Sequence, residues 1–150
     1  MERRTSAGDR RGTLRGGRRY SDHEGRPLVL IVDDHVDSRE LLATVLQDAG
    51  VVIAEAGSGR EAMLRLSAVP PPSLVLVDLS LPDCHGTDIV REMKRNTSTA
   101  HIPVIVLSAS VMASDKEAAA EAGCAAFIEK PILPDDVVAI VRRLIAQEAG

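Results

Sequence analysis

The sequence predicts one open α/β sheet of five parallel strands with helices on both faces. Three observations lead to this fold class. Five short apolar runs rich in Val, Ile and Leu recur along the chain, at residues 28–32, 51–54, 74–77, 104–107 and 125–128. Most lack polar alternation, as expected for parallel strands buried on both faces. A segment with helical apolar spacing follows each run, so we expect a doubly wound, flavodoxin-like sheet of strand order 2-1-3-4-5.

The first two helices are predicted from apolar stripes and terminal signals. The first stripe consists of Leu41, Leu42, Val45 and Leu46. Gly50 follows it, at the position where helices commonly end in glycine. Ser58 and Glu61 have the spacing of a capping box, which predicts the start of the second helix. Met63 and Leu66 are expected to form its buried face.

The last three helices show similar patterns. The third is marked by Ile89, Val90 and Met93. Ser114 and Glu117 repeat the capping-box spacing before an alanine-rich segment that Gly123 closes. Pro134 can begin the fifth helix, whose apolar stripe consists of Val137, Ile140, Val141, Leu144 and Ile145. The alanine-rich fourth helix buries little apolar surface, so we expect it to be the least firmly held element.

The composition predicts a soluble, cytoplasmic protein with an aliphatic core. Tyr20 and Phe127 are the only aromatic residues. Cys84 and Cys124 lie far apart and form no metal-ligand pattern, which suits a reducing compartment. No apolar run approaches the roughly 20 residues that span a bilayer, so we expect no membrane partner.

Residues 1–27 differ from the rest of the chain in charge. They carry eight Arg against four acidic residues, whereas residues 28–150 carry ten Lys or Arg against eighteen acidic residues. The first segment also has almost no aliphatic side chains, so we expect a disordered basic tail followed by a folded domain over residues 28–147. A basic arm can bind nucleic acid, but a solvated extension is the favoured interpretation.

Polar residues follow four of the predicted strands at the point where each strand ends. Asp33 and Asp34 follow the first, Asp78 the third, Ser108 the fourth and Lys130 the fifth. The carboxyl ends of parallel strands share one edge of the sheet, where open α/β sheets place their sites. Taken singly, each of these residues has a common structural role. An Asp pair usually forms a turn or a helix cap, a Ser hydroxyl is usually satisfied by a hydrogen bond, and Lys-Pro usually forms a turn. The joint pattern instead predicts one site.

The charges of this cluster predict a cation. Two carboxylates about 4 Å apart repel by roughly 4 kcal/mol at an effective dielectric constant near 20. Lys130 can offset one of the three, and the excess suits Mg²⁺, which binds carboxylates, waters and phosphate oxygens. A metal, an ammonium and a hydroxyl together stabilise a phosphoryl group in transfer. Asp78, at the centre, is a competent oxygen nucleophile.

Four stretches resemble the receiver domains of response regulators in two-component signalling, over about residues 28 to 147. They are Val-Asp-Asp at 32–34, Val-Asp-Leu-Ser-Leu-Pro-Asp-Cys-His-Gly at 77–86, Leu-Ser-Ala at 107–109 and Phe-Ile-Glu-Lys-Pro at 127–131. The resemblance implies that Asp78 is the phospho-acceptor. It further implies that Asp34 binds Mg²⁺ directly, that Asp33 does so mainly through water, and that the Ser80 backbone carbonyl is a further ligand.

The resemblance also assigns the residues of the switch. Ser108 is expected to turn toward the phosphoryl group, Lys130 to be its counter-ion and Phe127 to hold the aromatic switch position on the surface of helix 4, strand 5 and helix 5. Ser80 and Ser110 are expected to tune the phosphorylated lifetime. The Lys130–Pro131 bond is expected to be cis.

The resemblance implies a signalling switch rather than an enzyme. The phosphoryl donor would be a histidine kinase or a histidine phosphotransfer protein, and few residues follow the fifth helix, so we expect a stand-alone receiver that acts by docking an unknown downstream protein. Two alternatives are a receiver-like module that is never phosphorylated and an aspartyl-phosphate hydrolase. The second would need another acid two positions after the nucleophile, where this chain has Ser80.

Three residues near the site are expected to be exposed bystanders. His35 opens the first helix, and Mg²⁺ prefers oxygen ligands to an imidazole. Cys84 and His85 lie in the loop that follows Asp78.

Overall fold

A computed structural model describes residues 25–110 and 112–149. Most of the predicted basic tail, residues 1–24, lies outside the described residues. Five strands form one sheet in the described part of the chain: β1 (Leu28–Val32), β2 (Val52–Ala56), β3 (Leu74–Asp78), β4 (Val104–Ser108) and β5 (Ala126–Glu129). All neighbours are parallel and their order is β2-β1-β3-β4-β5. The predicted fold class and strand order are confirmed.

Five helices alternate with these strands in the same part of the chain: α1 (Val36–Asp48), α2 (Gly59–Leu66), α3 (Gly86–Arg95), α4 (Ala113–Ala122) and α5 (Pro134–Ala149). Pro134 begins α5 as predicted, and Gly123 ends α4 in the left-handed conformation, with φ of 109°. No described helix is long and apolar enough to cross a bilayer.

The sheet separates two apolar layers. Alternate residues of β1 point to opposite faces, since the side-chain period of a strand is two. Leu28, Leu30 and Val32 pack with α2, α3 and α4. Val29 and Ile31 pack with α1 and α5. Both faces of the central strands are therefore buried, which explains their continuous apolar runs.

Two helix details differ from the sequence predictions. Leu41 was expected in the buried stripe of α1, but it is 59% exposed, because Leu42 and Leu46 supply the contacts with the sheet. Ser114 was expected to cap α4, but the helix already begins at Ala113. Ser110 takes over part of this role, since its Oγ accepts a hydrogen bond from the backbone N–H of Met112 and donates one to Asp115 Oδ2.

The capping prediction for α2 is confirmed in part. Ser58 Oγ accepts a hydrogen bond from the backbone N–H of Glu61. The Glu61 carboxylate accepts from the N–H of Gly57 instead of returning to Ser58. On the buried face, Leu66 is fully packed whereas Met63 is half-buried.

Candidate functional site

The register of the sheet brings the predicted polar residues to one edge. Val32 of β1 is paired with Val77 of β3, which places Asp33 and Asp78 one residue beyond this pair. Ser108 is paired with Glu129 at the ends of β4 and β5, and Lys130 comes next. The sheet thus collects residues that are up to 97 positions apart in sequence.

Lys130 is the positive centre of this edge. Its Nζ donates hydrogen bonds to Asp78 Oδ2 at 3.1 Å and to Asp33 Oδ2 at 3.4 Å. The ammonium lies on a largely buried side chain, and both carboxylates are almost fully buried. Its backbone N–H donates to the Ser108 carbonyl, and the following bond to Pro131 is cis, as expected. One cation therefore forms ion pairs with two buried anions.

Burial sets the electrostatics of Asp78. Removal of the carboxylate from water raises its pKa above the ordinary value of 3.8, while the hydrogen bond and the charge of Lys130 lower it and the charge of Asp33 raises it further. The backbone N–H of Ser80 donates to Asp78 Oδ1 at 3.3 Å. The net direction of the pKa shift is upward, so the ionised Asp78 carboxylate is held at a free-energy cost.

The acidic pair after β1 divides into a buried and an accessible carboxylate. Asp33 is fully buried, and its Oδ1 accepts a hydrogen bond from the backbone N–H of His35 at 2.9 Å. The side chain of Asp34 is 36% exposed. One carboxylate is fixed by the protein, whereas the other remains accessible from solvent.

The site has the donors to bind a metal ion. Asp33, Asp34, His35 and Asp78 each offer one ligand atom, and these four atoms lie within 4.8 Å of one another. Three carboxylates against one ammonium leave an excess of negative charge, and oxygen donors of this kind suit a hard divalent cation. The residues present fit the metal that the sequence predicted.

Ser108 connects this edge to α4. The side chain is buried, and its Oγ accepts a hydrogen bond from the backbone N–H of Ser110 at 2.9 Å. Ser110 in turn contacts Asp115 in the first turn of α4. A rotation of the Ser108 hydroxyl would therefore disturb a chain of contacts that ends on α4.

Phe127 lies on the α4 side of the sheet. It is half-buried and packs against the apolar layer that contains Ala119 and Ala122 of α4. The ring is therefore neither locked in the core nor fully solvated.

Two residues that hold the site were not predicted. Arg39 of α1 donates from Nη1 to the Asp33 carbonyl and from Nε to Glu55, both at 2.8 Å. The Asp83 carboxylate accepts from the N–H groups of Gly59 and Arg60 at the start of α2, which lower its pKa. Neither stands beside its partners in sequence, so only the fold reveals these contacts.

The three expected bystanders differ from one another. Cys84 was expected to be exposed, but it is half-buried and packs against the apolar layer below α2 and α3. His85 is exposed and precedes α3, where its N–H donates to Asp88. His35 is 66% exposed, yet its Nδ1 lies 3.2 Å from Asp33 Oδ1. The imidazole faces the carboxylates instead of standing apart from them.

Comparison with known proteins identifies the type of domain. The family model for the response regulator receiver domain matches residues 29–142. The polar-differentiation response regulator DivK of Brucella ovis is 35% identical over 104 residues, which cover 69% of this chain and 84% of DivK.

Solved structures agree with this match. The receiver domain of a signal transduction histidine kinase from Syntrophus aciditrophicus is 30% identical, with a TM-score of 0.76 over 81% of this chain and 91% of that one. A CheY-like receiver domain protein from Methanospirillum hungatei superimposes with a TM-score of 0.78 over 83% of this chain and 98% of that one. At 21% identity the latter supports the fold alone.

We predict that Asp78→Asn stabilises the metal-free fold at neutral pH. Because the pKa of Asp78 is raised in the folded state, its ionisation costs more free energy there than in the unfolded chain. This cost is absent below the unfolded pKa and grows as the pH rises through the folded pKa. The variant should exceed the wild type in free energy of unfolding at pH 7 in EDTA, and the difference should shrink toward pH 4.

Urea denaturation followed by far-UV circular dichroism measures this difference. Asp37→Asn is the matched control, since Asp37 is an exposed carboxylate in the first turn of α1. A difference that is absent at pH 7, or that grows as the pH falls, would contradict the prediction.

Proposed function

The chain belongs to the response regulator receiver domain family, and on that premise we propose that it is a cytoplasmic, Mg²⁺-dependent phosphorylation switch rather than an enzyme. Asp78 is the phospho-acceptor. The observation that supports this most directly is the contact of Lys130 with both buried carboxylates, at 3.1 and 3.4 Å, beside the accessible Asp34. The closeness of these three side chains supports the roles of nucleophile for Asp78, counter-ion for Lys130 and accessible metal ligand for Asp34.

The chemistry follows from these positions. A carboxylate oxygen of Asp78 attacks the phosphorus of a phosphohistidine, the P–N bond breaks, and the imidazole leaves with a proton from solvent. Lys130 stays paired with the carboxyl group and neutralises part of the added charge. Asp34 and Asp78, with the Ser80 carbonyl, would hold Mg²⁺, and Asp33 would hold it mainly through water. When bound, Mg²⁺ offsets the roughly two negative charges that a phosphoryl group adds.

The alternatives fit the site less well. A hydrolase of aspartyl phosphates would use a second acid two positions after the nucleophile, and Ser80 stands there. A module that is never phosphorylated would not need Asp78 as a buried anion with a raised pKa, which costs stability. Neither alternative has a specific contact in its favour.

We predict that Asp78→Asn abolishes labelling by acetyl phosphate. Asparagine keeps the size of the side chain but lacks the anionic oxygen that attacks phosphorus. Asp34→Asn should raise the Mg²⁺ concentration needed for half-maximal labelling, and EDTA should prevent labelling of the wild type. A Phos-tag gel measures the labelled fraction. Asp37→Asn should label like the wild type, and labelling of Asp78→Asn above background would refute the assignment.

The donor is expected to dock beside α1. Three large apolar side chains are exposed near the site, namely Val36, Leu41 and Leu133. Between α1 and the start of α5 lies an apolar groove lined by Leu41, and Lys130 also lines it. The groove thus adjoins the acceptor edge. A histidine kinase or phosphotransfer protein that brings its phosphohistidine to Asp78 could bury these side chains.

We predict that Leu41→Glu slows transfer from the partner protein by about tenfold or more, the effect of losing roughly 1.4 kcal/mol of binding. Acetyl phosphate needs no docking, so its labelling rate should stay within twofold. Leu64→Glu is the control, because Leu64 is similarly exposed (68%) but lies on α2, across the sheet. Equal slowing by both variants, or slowing with acetyl phosphate, would contradict docking at α1.

Output is expected on the face formed by α4, β5 and α5. Once Ser108 turns toward the phosphoryl group, its Oγ no longer accepts the hydrogen bond from Ser110 N–H. The contact of Ser110 with Asp115 then loosens, and Phe127 moves into the space that Ser108 leaves. Because α4 buries only Ala119 and Ala122, little packing opposes its movement. A downstream protein would read this surface.

The lifetime of the phosphorylated state would depend on Ser80 and Ser110. Ser80 is exposed in the loop after Asp78, so a small side chain there leaves water a path to the acyl phosphate. The Ser110 hydroxyl is engaged by Asp115. Neither is a charged base, so hydrolysis should be neither strongly blocked nor strongly assisted.

We predict that phosphorylation lowers hydrogen-exchange protection most strongly in α4. Peptides that cover residues 112–123 should exchange faster in the phosphorylated protein, whereas peptides of α1 should change little. Ser108→Ala removes the hydroxyl that starts the movement, so it should label yet lose most of the difference. Mass spectrometry measures the exchange. Equal protection of α4 in both states would exclude this mechanism, since a switch needs states that differ.

A further inference from the structure

We propose that His35 adds an imidazole ligand to the acidic site, so that the site binds a first-row transition-metal ion such as Mn²⁺ or Ni²⁺ in addition to Mg²⁺. The inference rests on the proposed function in one respect, because it requires the same carboxylates to hold a divalent ion. It goes beyond that function in the identity of the metal and in the role of His35.

The distances around His35 suit a shared ion. Its Nδ1 lies 3.2 Å from Asp33 Oδ1, 3.3 Å from Asp34 Oδ1 and 3.9 Å from Asp78 Oδ2. In an octahedral complex with bonds of about 2.1 Å, neighbouring ligand atoms are about 3 Å apart and opposite ones about 4.2 Å apart. All three separations lie between these limits.

The backbone holds the imidazole over the site. The N–H of His35 donates to Asp33 Oδ1, the same oxygen that the ring nitrogen approaches. The residue directly precedes α1, with an extended conformation of φ −85° and ψ 111°. Since 66% of the side chain is exposed, the ring can carry its hydrogen on Nε2, toward water, and leave the Nδ1 lone pair for a metal. Little rearrangement is needed.

The set of donor atoms decides which ions bind more tightly when the imidazole is added as a ligand. Carboxylates suit Mg²⁺ and Mn²⁺, whereas imidazole adds affinity for the later metals of the series, Ni²⁺ above all others that keep octahedral coordination. Mg²⁺ binds nitrogen weakly, so the imidazole adds little to its affinity. His35 therefore separates the ions: its loss should weaken Ni²⁺ binding and leave Mg²⁺ binding nearly unchanged.

Calorimetric titration of the full chain with Mg²⁺ or Ni²⁺ alone tests this separation. His35→Asn should lower Ni²⁺ affinity about tenfold or more, because removing even an outer-shell partner of a metal ligand typically costs 10–100-fold. Mg²⁺ affinity should stay within twofold. His101→Asn is the control, since His101 is exposed in the loop before β4, at the opposite edge of the sheet. Equal Ni²⁺ affinity in His35→Asn and the wild type would overturn the inference.

Two further measurements identify the ligands. Pulsed electron paramagnetic resonance of bound Mn²⁺ should show an imidazole nitrogen coupling in the wild type that is absent in His35→Asn. Asp34→Asn should also weaken Ni²⁺ binding. Unchanged Ni²⁺ binding in this variant would place the ion on a histidine away from the carboxylates and overturn the inference. Absence of Mg²⁺ binding in the wild type and in every variant would instead refute the proposed function. Failure of the inference about His35 and failure of the proposed function are therefore distinguishable.

Discussion

The crowding of three carboxylates beside one ammonium is the constraint on which the site depends. Asp33 and Asp78 are buried and share Lys130, while Asp34 meets solvent. Two carboxylates at about 4 Å repel by roughly 4 kcal/mol at an effective dielectric constant near 20. Electrostatic repulsion therefore destabilises this edge of the sheet when it is free of metal. The pKa of Asp78 is raised chiefly because burial disfavours the charged carboxylate, and the charge of Asp33 raises it further. A divalent cation would relieve this repulsion, and under the proposed function that relief would couple metal binding to phosphorylation.

The surrounding structure keeps these charges in place. Arg39 fixes the Asp33 carbonyl to the end of β2 through Glu55. Asp83 fixes the loop after Asp78 to the start of α2. At the start of α3, a Cβ added at Gly86 would lie 2.5 Å from the Asp78 carbonyl oxygen, so no larger residue fits without a shift of β3. Burial of an anion costs free energy, and these neighbouring contacts keep the buried carboxylates from turning into solvent.

The sequence predicted the elements that depend on local patterns. The apolar runs placed the strands to within one or two residues. The polar residues after four of the five runs led to the edge where Asp33, Asp78 and Lys130 meet. Contacts that join distant segments could not be predicted in the same way. Arg39 looks like any charged helical residue, and Leu41 fits the apolar stripe although it is exposed. His35 was expected to be a bystander because Mg²⁺ prefers oxygen ligands. The orientation of its ring toward Asp33 is visible only in the folded chain.

Borohydride trapping of the phosphorylated protein tests the central claim most directly. Borohydride reduces an aspartyl phosphate to homoserine, and peptide mass spectrometry then locates the reduced residue. After treatment with acetyl phosphate and Mg²⁺, homoserine should be found at position 78 and at no other acidic position, and EDTA should prevent its formation. Homoserine at another position, or at position 78 in equal amount with EDTA, would contradict the account.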